Sequence, residues 1–225
     1  MKMKKVLALA LALVLIVGAT VAGTVAWLMD TTGNVTNTFT VGNIDIDLKE
    51  HDLKADGTLD NTKEVTEEDT YKIIPGTSQP KDPFVRVEAN SDACWVFIKV
   101  EEKNSAATYI TYSIDNSVWT PLVDDNNDGI ADNGVYYKDM PAVTVDTKLN
   151  ILSGATVSYS ENLTKTQINN LYTIVKDADG NVTSMTMLAK EELHKLQFTA
   201  YAIQKTNGNG TTFTASEAWT ALNNP

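Results

Sequence analysis

The clearest chemical pattern in this chain is an acidic stretch, residues 124–132, which reads Asp-Asp-Asn-Asn-Asp-Gly-Ile-Ala-Asp. Counted from the first Asp, oxygen-bearing side chains fall at positions one, three, five and nine. Glycine at position six allows the tight turn of a calcium loop, and position seven offers its carbonyl oxygen. The stretch therefore predicts a calcium site with five ligand residues, which are Asp124, Asn126, Asp128, Ile130 and Asp132.

Two departures limit this calcium prediction. Position twelve is Val135, where an EF-hand has a bidentate Glu. No helix is predicted on either side of the loop, so a true EF-hand is excluded and a looser calcium-binding turn is what remains. The alternative is the tip of a long hairpin, because Asn, Asp and Gly are good turn residues in any protein.

Catalytic patterns are missing from the sequence. His51 and His194 are the only histidines, and neither lies in the His-Glu-x-x-His arrangement of the common zinc proteases. No Gly-x-Ser-x-Gly elbow occurs. The single cysteine, Cys94, lies in the apolar run 93–100, so we predict a buried core thiol and not a nucleophile. The sequence therefore predicts a protein that is not an enzyme and whose two histidines are solvated.

The N-terminus has the pattern of an export signal. The first five residues, Met-Lys-Met-Lys-Lys, are basic, and residues 6–26 carry no charge, which is the layout of a signal peptide or an anchor. In Thr24-Val25-Ala26, the small side chains of Thr24 and Ala26 stand at the two positions that a signal peptidase recognises. We predict cleavage between Ala26 and Trp27. An uncleaved anchor is the alternative, and this segment is then the only part that contacts a membrane.

The exported part is strongly acidic. The whole chain has a formal net charge of -11, and cleavage removes Lys2, Lys4 and Lys5 without removing any acid. Strong acidity argues against nucleic acid and anionic membrane surfaces as partners, and it favours solubility and cation binding. A single cysteine excludes an internal disulfide. The roughly 200 remaining residues suit one domain with a proper core.

Strand patterns dominate the exported part. Residues 44–48 alternate apolar and polar side chains, which is the period of a sheet with one solvated face. Residues 49–70 are polar and predict a mobile loop, and residues 164–171 predict a short helical segment. Further short strand patterns follow, separated by Asn, Asp and Gly turns. The predicted fold class is all-β, a jelly-roll-like β-sandwich with short helical segments, including a C-terminal helix.

Two local patterns predict structure in the last third of the chain. Residues 172–175 and 182–187 flank Asp179-Gly180 in the manner of a β-hairpin. Thr214 and Glu217 have the spacing of a capping box at the start of the C-terminal helix. Three apolar side chains then share one face of that helix, namely Ala215, Trp219 and Leu222.

Three stretches of the sequence resemble the TasA and camelysin-like proteins, which are exported with a dedicated signal peptidase, SipW. The first begins at Ala26-Trp27-Leu-Met-Asp30 and continues into residues 37–48, which contain Thr-Phe-x-x-Gly-x-Ile-Asp. The second is the Pro-punctuated segment and the two strands after it, residues 75–100. The third is the ending, from residues 200–204 to Ala218-Trp219. Together these stretches cover less than half of the chain.

The resemblance implies a jelly-roll sandwich that polymerises into fibres of a biofilm matrix by donor-strand exchange. In that process an N-terminal segment, released by cleavage, enters the sheet of the next subunit. The implied parts are a signal peptide, residues 1–26, a donor-strand segment, residues 27–38, and a sandwich domain, residues 39–225. The residues implied for the donor strand are Trp27, Leu28, Met29, Asp30 and Val35.

The resemblance also implies partners and a location. The partners are other copies of the chain, the signal peptidase during export and other matrix proteins, and the location is the extracellular matrix or the cell surface. Three alternatives stay open. Residues 27–29 can fold back on their own sheet. The protein can be a monomeric surface binding module that uses calcium. It can also be a metalloendopeptidase, the label that camelysin members carry, although no zinc motif is visible here.

Overall fold

The computed structural model describes residues 29–32, 43–66, 73–189, 192–206 and 210–223. Within these ranges the chain forms fourteen strands, two α-helices and two short 3-10 turns. In chain order, they are β1 Met29–Thr32, β2 Ile46–Leu53, β3 Leu59–Val65, β4 Ser78–Pro80, β5 Phe84–Val87, β6 Cys94–Lys103, a 3-10 turn Ala106–Thr108, β7 Ile110–Thr111, β8 Thr120–Pro121, β9 Val135–Met140, β10 Thr147–Asn150, a 3-10 turn Ser153–Ala155, β11 Thr156–Tyr159, α1 Lys165–Asn169, β12 Tyr172–Lys176, β13 Val182–Met187, β14 Lys195–Gln204 and α2 Ala215–Asn223.

Two antiparallel sheets form the body of the protein. The larger has the strand order β1-β14-β6-β9-β8, and the second has the order β10-β5-β2-β3. The connection from β5 to β6 turns at Asn90, whose φ is 66°, and carries the chain from the second sheet into the first. Two smaller sheets, β4-β11-β7 and β12-β13, complete the described strands.

The hydrophobic core lies between the two main sheets. Ile46, Val85 and Val87 of the four-stranded sheet belong to the same buried cluster as Val96 and Ile98 of the five-stranded sheet. All five are at most 2% exposed, so the alternate residues of both sheets point into one shared interior, as in a sandwich. The predicted fold class, an all-β sandwich with short helices and a C-terminal helix, is confirmed.

Helix α2 covers the outer face of the five-stranded sheet. Thr214 and Glu217 form the predicted capping box, since the Glu217 carboxylate accepts the Thr214 N–H at 2.8 Å and the Thr214 hydroxyl accepts the Glu217 N–H at 3.3 Å. Ala218 is fully buried, and the Trp219 ring lies 5.3 Å from that of Phe97 on β6. The apolar face predicted for this helix therefore packs against the sheet.

The polar loop predicted for residues 49–70 is wrong over its described part. β2 continues through Leu53, and β3 returns beside it as an antiparallel strand; residues 67–72 lie outside the described residues. Polar composition predicted solvated chain, but Glu50 is only 8% exposed, and Glu64 contacts Arg86 of β5 as an ion pair. Ion pairs with the neighbouring strand hold this segment, which composition alone does not reveal.

The lone cysteine lies in the core as predicted. Cys94 begins β6 and is fully buried. Burial raises the pKa of its thiol to about 12, because the apolar interior disfavours the thiolate. Since the thiolate is the reactive form, this cysteine is inert at neutral pH.

The export-signal prediction concerns residues outside the described ranges. These include Ala26 and Trp27 at the predicted cleavage site and Leu28 and Val35 of the predicted donor segment. Met29 and Asp30 are described, and both lie in β1. Among the described residues, no helix has the length and apolar character needed to cross a membrane.

Candidate functional site

Strand β1 forms one edge of the five-stranded sheet. It runs antiparallel to β14, with Met29 opposite Ile203 and Thr32 opposite Ala200. Thus Met29–Thr32 lie on their own sheet in the single chain, while Trp27 and Leu28 lie outside the described residues. The pairing is a main-chain ladder, the kind of contact that any strand of suitable direction can make.

The β1 ladder is short compared with the strand that receives it. β6 pairs with all ten residues of β14 on one side, whereas on the other side the described residues of β1 pair with four of them. Those four include Ala200 and Ala202, which are both fully buried and have small side chains that let neighbouring layers come close. The β14 edge is therefore a strand-accepting site that a short segment occupies in the single chain.

The acidic loop connects β8 to β9, so the hairpin-tip position considered from the sequence is where it lies. The structure brings the predicted ligand residues into one turn. The Asp124 carboxylate accepts the N–H of Asp128 at 3.1 Å and that of Gly129 at 3.0 Å. Gly129, at position six, has a φ of 81°, which fits the tight turn that its position predicted.

Two further carboxylates of the loop, Asp128 and Asp132, also accept main-chain N–H groups. Asp128 accepts the N–H of Ile130 at 2.8 Å, and Asp132 accepts that of Asp125 at 2.8 Å. Asn126 donates its side-chain amide to Asp128 at 3.1 Å. These bonds fold the loop around its own carboxylates. In the part of the chain that the structure describes, no three His, Cys, Asp or Glu side chains are grouped as a metal site.

A charged cluster that the sequence did not predict lies on the outer face of the four-stranded sheet. Asp82 accepts the main-chain N–H of His51 at 3.0 Å, and its other oxygen lies 2.5 Å from His51 Nδ1. Lys148 Nζ lies 4.0 Å from Asp82 and 3.8 Å from the centre of the Phe84 ring. Burial lowers the pKa of Lys148. The side chains of His51 and Asp82 are each only 10% exposed.

This cluster corrects the prediction of a solvated histidine at His51, whose side chain is only 10% exposed and is paired with Asp82. His194 stacks on Tyr109 at a centroid distance of 3.6 Å and stays partly exposed. The signal in the sequence was weak, because His51 and Asp82 are 31 residues apart. The cluster ties the β2–β3 hairpin to the segment before β5, and its geometry supports a structural role.

Comparisons with protein-family models, with curated proteins and with solved structures found no match to this chain. The resemblance to the TasA and camelysin-like proteins therefore stays a prediction from sequence.

Proposed function

We propose that the chain is a secreted structural protein of an extracellular matrix, which forms fibres by donating its N-terminal strand to a neighbouring copy. The observation that carries this proposal is the position of β1 at the sheet edge beside β14. That strand begins three residues after the predicted cleavage site at Ala26. The part of the chain freed by processing is thus the part that occupies a strand-accepting edge.

The same edge can receive the strand of another copy. Main-chain hydrogen bonds supply most of the affinity in such strand addition, so the β1 ladder is equally available to a neighbour's segment. Residues 33–45 connect β1 to β2, and a fully extended connection of this length spans about 45 Å. This reach is long enough for β1 to leave its own sheet and enter the next subunit.

Head-to-tail exchange of this strand can extend into a filament. Donor and acceptor are different surfaces of the chain, so each copy gives one strand and receives one strand, and a head-to-tail contact of this kind extends unless its rotation closes a ring. The apolar tip residues Trp27 and Leu28, which precede the ladder in the sequence, then serve as an anchor in the neighbouring subunit. A tip that is still in the membrane cannot reach a neighbour, so cleavage is the step that permits assembly.

Electron microscopy of two purified chains tests this proposal. The chain that starts at Trp27 is expected to form filaments at neutral and mildly acidic pH, and the chain that starts at Thr36 is expected to stay monomeric because it lacks β1. A third chain, with residues 27–35 in scrambled order, controls for length and composition and is expected to assemble poorly. Filaments from the chain that starts at Thr36 would overturn the proposal, and so would monomers from the chain that starts at Trp27.

Calcium binding by the acidic loop is the second candidate function. It is favoured by the arrangement of Asp124, which accepts the N–H of Gly129 at position six. A carboxylate has about four lone-pair sites, so Asp124 retains acceptor capacity for a cation while it makes its two main-chain bonds. The loop can then bind the ion without unfolding its turn.

Thermal unfolding with and without calcium tests this candidate. Calcium at about 100 times its Kd adds about 2.7 kcal/mol of stability, which raises Tm by about 5–10 °C for a chain of this size. Asp128→Ala is expected to remove that rise. Asp125→Ala makes the same change of charge at a residue that is not a predicted ligand and is expected to retain it. If calcium does not raise the Tm of the unmutated protein, the prediction of a calcium site is wrong.

A further inference from the structure

Strands β12 and β13 form a hairpin that is separate from the three other sheets of the described residues. Every residue of β13 is exposed, including Met185 at 49% and Met187 at 43%. A two-stranded hairpin is marginally stable in water by itself. This one therefore presents an exposed strand edge and partly apolar side chains with little support from the core.

The β13 edge lacks most of the features that keep exposed strands apart. Natural edge strands carry Lys, Pro or bulges that prevent pairing with another chain. β13 reads Val-Thr-Ser-Met-Thr-Met and has no charged residue, no proline and no glycine. One bulge occurs, at Thr183 near the hairpin tip, and the ladder from Ser184 to Met187 is regular. This regular part can pair with another strand.

The hydrogen-bond pattern shows which residues face the free edge. Leu188 N–H donates to the carbonyl of Leu171 at 2.9 Å, so these two residues form a hydrogen-bonded pair. Such pairs alternate along an antiparallel ladder, and Thr186 with Thr173 is the next one in the register. The main-chain N–H and C=O of Met185 and Met187 therefore point away from β12. Among the described strands, only β12 pairs with β13.

This geometry has a self-complementary register. If two β13 strands run antiparallel with Thr186 opposite Thr186 of a second copy, Met185 lies opposite Met187 of that copy. The outward-facing groups of both methionines then form four main-chain hydrogen bonds across the new edge. A two-fold axis perpendicular to the sheet keeps the methionines of both copies on one face, beside Tyr172 and Ile174, which lie opposite them in the hairpin.

We propose that β13 pairs edge to edge with β13 of a second copy, centred on Thr186, and that two hairpins thereby form one four-stranded sheet. The self-complementary register favours a second copy as the occupant, because one surface supplies both halves of the new ladder. The chain carries a net charge of -11, so most pairs of surfaces on two copies repel each other. The uncharged edge is a place where two copies can meet without that repulsion, and the Thr–Thr and Met–Met contacts are favourable cross-strand pairs.

This contact is independent of the donor strand and has a different symmetry. It uses the same surface on both copies, so it closes as a dimer. In a filament built by strand donation, it would join two filaments side by side. In the absence of strand donation it would still form dimers, so the two proposals can fail separately.

Disulfide trapping tests the contact. In the proposed register the two Thr186 residues form a non-hydrogen-bonded pair, whose Cα atoms lie about 4.5 Å apart, within the range of about 4.4–6.8 Å for a disulfide. Thr186→Cys is therefore expected to convert to a disulfide-linked dimer under mild oxidation. Cys94 gives little background, because it is fully buried and its pKa is raised to about 12. The full chain in detergent and the chain from Trp27 should behave alike.

Two matched variants define the register. Ser184→Cys is equally exposed on the same strand, but the two Ser184 residues would lie four positions apart, about 13 Å, so this variant is expected to stay monomeric. Met185→Pro removes an outward N–H that the hairpin itself does not use, and combined with Thr186→Cys it is expected to abolish the dimer. No dimer from Thr186→Cys, or equal yields from Ser184→Cys and Thr186→Cys, would overturn the proposal.

Discussion

Replacing Lys81 with methionine is expected to lower the free energy of unfolding by about 3–5 kcal/mol. Lys81 Nζ lies 2.6 Å from a carboxylate oxygen of Glu50, and the two side chains are only 14% and 10% exposed. Glu50 belongs to β2, and Lys81 precedes β5. The variant keeps the volume of the side chain but removes this cation from beside a buried carboxylate. That carboxylate is costly to bury without it, because little water can solvate it there.

Urea denaturation of three variants separates burial from simple loss of charge. Lys63→Met removes a cation from an exposed ion pair with Asp52, in which the lysine is 63% exposed, and is expected to destabilise the protein far less than Lys81→Met, because solvent screens an exposed pair. The double variant Glu50→Met/Lys81→Met is expected to recover most of the loss, since an apolar pair can replace a buried ion pair. Equal losses from Lys81→Met and Lys63→Met would show that burial does not strengthen this contact.

Gly134→Ala is expected to cost about 2–5 kcal/mol. Gly134 has a φ of 69°, and an added Cβ would lie 2.7 Å from the carbonyl oxygen of Val100, which is main chain and cannot turn aside. The left-handed conformation alone costs a residue with a Cβ about 1–2 kcal/mol, and overpacking adds about 1–3 kcal/mol. The carbonyl oxygen of Gly134 also accepts the Val100 N–H at 2.8 Å. The segments around Gly134 and Val100 therefore cannot move apart without losing a hydrogen bond.

Gly57→Ala is the matched control for this prediction. Gly57 has a similar φ of 82°, but nothing lies within 4 Å of its added Cβ. Its expected cost is therefore the conformational part only, about 1–2 kcal/mol. Thermal or urea unfolding of both variants gives the difference directly. If Gly134→Ala is as stable as Gly57→Ala, the main chain at the β9 end of the acidic loop shifts to accommodate the new methyl group, and the predicted extra cost is wrong.

Local patterns predicted most of the framework correctly. The hairpin around Asp179-Gly180, the capping box at Thr214 and the burial of Cys94 are all confirmed. Each rests on interactions within a few residues or on an uninterrupted apolar run. The strand predicted for residues 44–48 exists but begins at Ile46 and ends at Leu53, because ion pairs extend it into sequence that looked like solvated loop.

The candidate sites were predictable to different degrees. The acidic loop was visible as a pattern, since the hydrogen bonds that its carboxylates accept join residues no more than seven positions apart. The sequence alone left open whether the N-terminal segment folds back or leaves, and only the pairing of β1 with β14 shows which edge it occupies in the single chain. The sequence predicted the hairpin that contains β13 but not the exposure of its edge, because a strand's exposure depends on what the rest of the fold leaves uncovered.

The sequence by itself determined the strand-rich character, the acidic surface and the chemistry of the turns, since these depend on residue type and short-range periodicity. Only the tertiary structure decided that the side chains of Glu50 and His51 are mostly covered, and that Lys81 and Asp82 are their partners. Those pairs join residues 31 positions apart. At that separation, which charges meet is set by the antiparallel pairing of β2 with β5 and not by any local preference of the chain.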